Sequence, residues 1–164
     1  MDSGFYIVDL RSQPQWLEPV ACWHHQEWLK GRSNALELDE QQYSLDRRVT
    51  ILQAHLGQEP IPSTFVACVE GEPVGSASVV YYEFTAGKRS EWLTNVYVQP
   101  AWRRRGIACR LVRHVCEYAA KQGVASIRLY TRDQCRYYER LGWQTVGKAV
   151  LNGNTVGILS LSLT

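Results

Sequence analysis

No apolar run in these 164 residues approaches the length that a membrane-spanning helix needs. Neither sign of charge predominates. Lys plus Arg number 18 against 16 Asp plus Glu, a balance that calls for neither nucleic acid nor a membrane surface as partner. The five cysteines are odd in number and show no CxxC spacing, which argues against a disulfide framework or a zinc ribbon. Cys109 and Cys116 stand seven apart on a predicted helix and read as small apolar core residues. The adjacent pair His24 and His25 lacks metal-ligand spacing, so surface or pocket lining is expected and no metal. Internal repeats, low-complexity tracts and linkers are absent. Met1-Asp2-Ser3 is acidic, and the apolar stretch from Phe5 to Leu10 is too short for a secretory signal. The expectation is one soluble, reduced, cytoplasmic domain over 1–164, long enough to bury a core without disulfides or metals.

What is present reads as alternating strands and helices. Residues 5–10 form a first strand. Ser12 is placed to cap a helix that starts near Pro14, carries Trp16, Trp23 and Trp28, and stops at Gly31. Asp39 with Gln42 three residues on signals a second helix, running to Gly57. Two β-rich runs, 64–69 and 74–82, flank Glu70-Gly71-Glu72-Pro73 and predict a hairpin. A polar loop over 83–89 leads to a strand over 93–99. A helix over 106–122 places Ile107, Leu111, Val115 and Ala119 on one face. A strand over 126–131 follows, then a short helix capped by Asp133 and stopped by Gly142. Two last strands around Asn152-Gly153-Asn154 close the chain as a hairpin. The order implies an α/β (α+β) fold, with one crossover helix between strands 93–99 and 126–131.

The stretch from Leu93 to Leu111, LTNVYVQPAWRRRGIACRL, carries the functional signal. Pro100 ends the strand, three arginines follow, and a helix starts at Gly106, Ile107 and Ala108. Free N–H groups and the positive end of a helix dipole make such a turn an anion site, here read as holding a pyrophosphate. A solvated basic turn is the plainer alternative.

These residues resemble the acetyl-CoA-binding segment of the GNAT superfamily of N-acetyltransferases. The family pattern (Q/R)-x-x-G-x-(G/A) is met by Arg103, Gly106 and Ala108, and DQCRYYERLGW is similar to a second family signature. The resemblance implies a central mixed, mostly antiparallel, twisted sheet with helices on both faces and splayed strands 93–99 and 126–131. It implies acetyl-CoA as donor, with no metal. Backbone near Val96, Tyr97 and Val98 would bond the pantetheine arm. N–H groups of Arg104, Arg105, Gly106, Ile107, Ala108 and Cys109 would cradle the pyrophosphate, with side-chain charge from Arg103 and Arg105. Thr131 joins this set, standing where many members carry Asn. Tyr138 matches the tyrosine that protonates the departing thiolate; its plainer reading is a core aromatic beside Tyr137.

Arg104 replaces a common Gly, and is expected to keep ordinary negative φ with its side chain in solvent. The acceptor is expected to be an amine, on a small molecule or at a peptide N-terminus. Thr131-Arg132-Asp133-Gln134 is similar to the start of this signature in a subgroup that acetylates protein N-termini. Trp16, Trp23, Trp28 and Tyr43 are candidate acceptor-pocket residues. The base is left among Glu91, Glu83 and water held by Thr94 and Asn95. A monomer or homodimer with no nucleic-acid or membrane partner is expected, and a non-catalytic acyl-CoA-binding module is the alternative.

Overall fold

The structure, a computed structural model, describes residues 4–30, 44–85, 88–151 and 153–164. Seven strands form one sheet: β1 (Phe5–Asp9), β2 (Ser63–Val69), β3 (Glu72–Thr85), β4 (Lys88–Val98), β5 (Ser126–Thr131), β6 (Gln144–Leu151) and β7 (Asn154–Ser162). Their order across the sheet is β1-β2-β3-β4-β5-β7-β6. Every neighbouring pair is antiparallel except β4 and β5, which run parallel. That exception follows from chain order, because a parallel pair needs a crossover and a helix supplies it. The α-helices among the described residues are α1 (Leu17–Lys30), α2 (Leu45–Gln53), α3 (Ile107–Lys121) and α4 (Cys135–Arg140). No described helix is long and apolar enough to cross a membrane.

The sheet opens where β4 meets β5. These strands share a single register pair, Trp92 with Arg128, whereas β5 and β7 pair from Ser126–Ser162 through to Thr131–Gly157. The cause lies in β4. Its register against β3 slips between Ser76–Tyr97 and Ser78–Thr94, so Asn95 and Val96 oppose only Ala77. Asn95 takes φ of 56°, a left-handed value that asparagine tolerates better than most residues. The bulge bends the C-terminal half of β4 away from β5.

Each face of the sheet has its own core. On one, α3 buries Ile107, Leu111, Val112, Val115, Cys116 and Ala119 against Phe65, Val79 and Leu93. On the other, Leu10, Leu17, Val20, Trp23 and Leu52 pack with Val66, Cys68 and Tyr97. β4 and α3 both crowd β3 at Gly75, where a Cβ would lie 2.8 Å from the Tyr97 carbonyl oxygen and 3.2 Å from Leu111. Gly75→Ala is therefore expected to destabilise the fold by about 1–3 kcal/mol through overpacking. An unchanged midpoint in chemical denaturation would show that β3 and β4 move apart freely.

Three local expectations are corrected, and a fourth falls outside the described residues. Ser12 does not cap a helix; its hydroxyl donates to the Asp9 carbonyl, and two 3-10 turns precede α1 at Leu17. The loop over 83–89 is shorter, since β3 runs to Thr85 and β4 starts at Lys88. Gln134 rather than Asp133 is the residue before α4, and its N–H donates to Thr131 Oγ1 at 3.1 Å. The start signal at Asp39 and Gln42 lies outside the described residues; α2 begins after Ser44, whose hydroxyl accepts from Arg47 N–H.

Candidate active site

Three cavities meet around the β4 bulge. The largest, about 980 Å³, is lined by Val96, Tyr97, Val98, Arg103, Arg104, Gly106, Ile107, Ala108 and Cys109, with Tyr137, Tyr138 and Arg140 opposite. A second, of about 400 Å³, occupies the opening between β4 and β5 and includes Thr131 and Tyr138. The third, of about 520 Å³, lies on the α1–α2 side and includes Thr94, Asn95 and Tyr97.

The basic turn is built from two left-handed residues. Gly106, the N-cap of α3, has φ of 77°, and Arg104 has φ of 65°. The expected negative φ at Arg104 is overturned. Glycine is at home at this position because the backbone there runs left-handed, and arginine costs roughly 1–2 kcal/mol in that conformation. No side chain caps the N-terminus of α3, where the Arg110 N–H to Gly106 carbonyl bond closes the first turn. The first-turn N–H groups and the positive pole of the helix thus face the large cavity.

The arginine side chains divide. Arg103 Nε donates to the Val98 carbonyl at 2.8 Å, its guanidinium lies 5.5 Å from the Tyr97 ring centre, and Nη2 is 3.8 Å from Glu27. It ties the turn to β4. Arg105 stacks over Trp102 at 4.9 Å and is not among the cavity's lining residues, whereas Arg104 is.

Tyr138 on α4 lines both the large cavity and the β4–β5 opening while remaining 9 % exposed. Its ring packs edge-on against Tyr137, 5.1 Å between centres, and Trp143, 5.9 Å. Burial first, and the Tyr137 phenol second, push its pKa up to about 12. It therefore holds its proton throughout the physiological range.

On the third side, two hydroxyl chains brace the bulge. His24 Nε2 contacts Ser76 Oγ at 2.8 Å, and that hydroxyl donates to the Asn95 carbonyl at 3.1 Å. His55 Nδ1 contacts Thr64 Oγ1 at 2.8 Å, which contacts Ser78 Oγ, which accepts from Asn95 Nδ2. Desolvation, helped by Arg48, lowers the His24 pKa to about 3. Desolvation, helped by Arg11, lowers that of His55 to about 4. Both rings are neutral near pH 7.

Of the predicted acceptor-side residues, Trp23 stacks on Tyr97 at 5.4 Å inside the core, and Trp16 packs beside it. Neither lines the cavities. The side chains of Trp28 and Glu83, and all of Tyr43, lie outside the described residues. Glu91 lines none of the three cavities, whereas Thr94 and Asn95 do. Sequence reasoning missed Glu27, which lines all three, and Arg48, which lines the third. The signal for Glu27 was its place one turn after His24 on a helix already linked to the pocket. Among the described residues, no group of three or more His, Cys, Asp or Glu side chains is placed to hold a metal.

An open seam beside a strand bulge, backed by an uncapped helix N-terminus, offers an unpaired strand edge and unsatisfied N–H groups that suit an anion. Residues 21–143 match the model of the acetyltransferase (GNAT) family, and the chain belongs to that family. A thialysine N-epsilon-acetyltransferase of Bos taurus is 30% identical over 105 residues, covering 57% of this chain and 62% of that protein. The matched part is thus less than two thirds of that relative's length. Among solved structures, yncA of Salmonella typhimurium with its cofactor acetyl-CoA superposes with a TM-score of 0.73 at 17% identity, covering 98% of this chain and 95% of that one. An aminoglycoside 6'-N-acetyltransferase complexed with coenzyme A gives 0.74 at 16% identity, covering 97% of each. These two likenesses establish the shared fold.

Proposed function

We propose that this chain is an acetyl-CoA-dependent N-acetyltransferase in which a primary amine attacks the thioester directly, within a ternary complex. The observation that carries the reading is Tyr138, a protonated phenol at the junction of the large cavity and the β4–β5 opening. The pyrophosphate would rest on the N–H groups of the turn and first residues of α3, from Arg104 to Cys109. The pantetheine arm would pair with the free edge of β4 from Val96 to Val98. The amine enters from the α1–α2 side and gives its proton to Glu27, the carboxylate shared by all three cavities. Nitrogen bonds to the carbonyl carbon, the C–S bond breaks, and the Tyr138 proton passes to the thiolate. Donor binding by the Salmonella typhimurium neighbour and amine acetylation by the bovine relative support this reading. Free Cys22, Cys68, Cys109, Cys116 and Cys135 support a reducing, cytoplasmic setting.

The test is release of CoA thiol together with an acetylated product, across small amines and peptide N-termini. Tight acetyl-CoA binding without turnover on any amine would instead favour an acyl-CoA-binding module. Glu27→Gln is expected to lower kcat about a hundredfold near neutrality, the low end for a general base. The loss should shrink as pH rises toward the amine's own pKa, where the attacking form no longer needs a base. An unaltered rate would move proton acceptance to water at Thr94 and Asn95.

A further inference from the structure

On that reading of the site, we infer that the acceptor carries a carboxylate as well as its amine, and that Arg48 holds the carboxylate. Arg48 sits half-buried on α2 and lines the acceptor cavity. No described carboxylate forms an ion pair with it. Its electrostatic neighbours are the phenols of Tyr82 and Tyr130, and the Tyr130 phenol, pushed up to about 12 by burial, is neutral. The two histidines of the same wall are neutral as well. A guanidinium partly withdrawn from water with no counter-ion among the described residues is costly, and its planar fork fits a carboxylate. Loss of solvent around Arg48 lowers its pKa from the ordinary arginine value, the direction that a bound anion would reverse.

The placement of opposite charges gives the acceptor a direction. Glu27 is the one carboxylate lining the acceptor cavity among the described residues, and it also reaches the large cavity beside Val96, Tyr97 and Val98. Arg48 lines the acceptor cavity alone. A cationic amine is drawn to the Glu27 end, where the thioester would lie, and an anionic group to the Arg48 end. Tyr81, Tyr82 and Tyr130 stand on the wall to cover an aliphatic spacer, and Arg89 lies 4.4 Å over the Tyr81 ring, adding positive potential. A polyamine or other polycation would set a second ammonium against Arg48. The substrate class is therefore an amino acid or another amino-carboxylate.

The experiment compares lysine, lysinamide and cadaverine as acceptors for the 164-residue chain at saturating acetyl-CoA. Lysine should exceed both analogues in kcat/KM by about tenfold or more, the value of a charge-assisted fork in a partly desolvated site. Arg48→Gln should bring that ratio close to one, mainly through KM for lysine, and Arg48→Lys should restore part of it. A native enzyme that uses cadaverine or lysinamide as well as lysine would overturn the inference. So would an Arg48→Gln variant that keeps the native ratio while all three rates fall, the mark of a structural role. If no amine turns over, the acetyl-transfer reading fails. Calorimetric titration of lysine and cadaverine into the CoA complex then still decides the carboxylate preference, by the same ratio.

Discussion

Tyr138→Phe is expected to lower turnover at least about tenfold while changing acetyl-CoA affinity little. General acid catalysis commonly contributes 10²–10⁴-fold, roughly 3–5 kcal/mol of barrier, and water in the opened site can replace part of it. Phenylalanine keeps the ring and its edge-on contacts with Tyr137 and Trp143, so the fold and the cavity wall should persist. The variant removes a proton and little else. With the phenol pKa near 12, native enzyme holds that proton well beyond neutrality, and no fall in kcat from this group should appear in the ordinary assay range. The loss in the variant should accordingly be flat with pH, unlike the pH-dependent loss from Glu27→Gln. The checks are kcat by thiol release, affinity by calorimetry and a thermal melt. An unchanged rate would make Tyr138 a core residue that happens to border the cavity.

Gly106→Glu should abolish measurable acetyl-CoA binding. A Cβ at this position meets no atom within 4 Å, so steric conflict is not the cause. Two other effects are. The backbone holds φ of 77°, which a side-chain-bearing residue adopts at a cost of roughly 1–2 kcal/mol. The added carboxylate would also stand at the helix pole where a pyrophosphate is to bind, replacing attraction by repulsion. Gly106→Ala separates the two, because it carries the strain without the charge and should retain most of the affinity. Calorimetry on both variants decides the matter; unaltered affinity in Gly106→Glu would remove the turn from the donor site.

Much of the architecture was legible because local chemistry and tertiary position agreed. The apolar face of α3 was readable from a 3.6-residue period, since that helix lies flat on the sheet with one face buried. The closing hairpin followed from Asn152-Gly153-Asn154, and β2 and β3 from the turn at Glu70-Gly71. The basic turn before α3 was readable because its residues are contiguous. The Arg104 conformation was not, because the residue type gives the wrong prior: arginine rarely runs left-handed, and only the backbone path demands it. Glu27, Arg48 and His55 were hidden for another reason. They come from α1, α2 and the turn after α2, and they converge only once the sheet is folded. A carboxylate on an exposed helical turn differs from any solvated glutamate only by such spacing as Glu27 has from His24. The bulge was half-visible, as an asparagine inside a strand of β-formers.

The lone pairing of Trp92 with Arg128 has a thermodynamic side. Beyond it, β4 and β5 are held by the side chains packed beneath them, including Leu93, Ile127 and Leu129, rather than by a backbone ladder. The sheet thus has a seam, and a donor bonded along Val96 to Val98, as proposed, would act as a temporary strand lining it. Folding and donor occupancy are then linked equilibria. By mass action, a donor at a hundred times its dissociation constant adds about 2.7 kcal/mol to the stability of the whole chain. On the proposed site, the level of the donor would then set how long the protein lasts, as well as how fast it works.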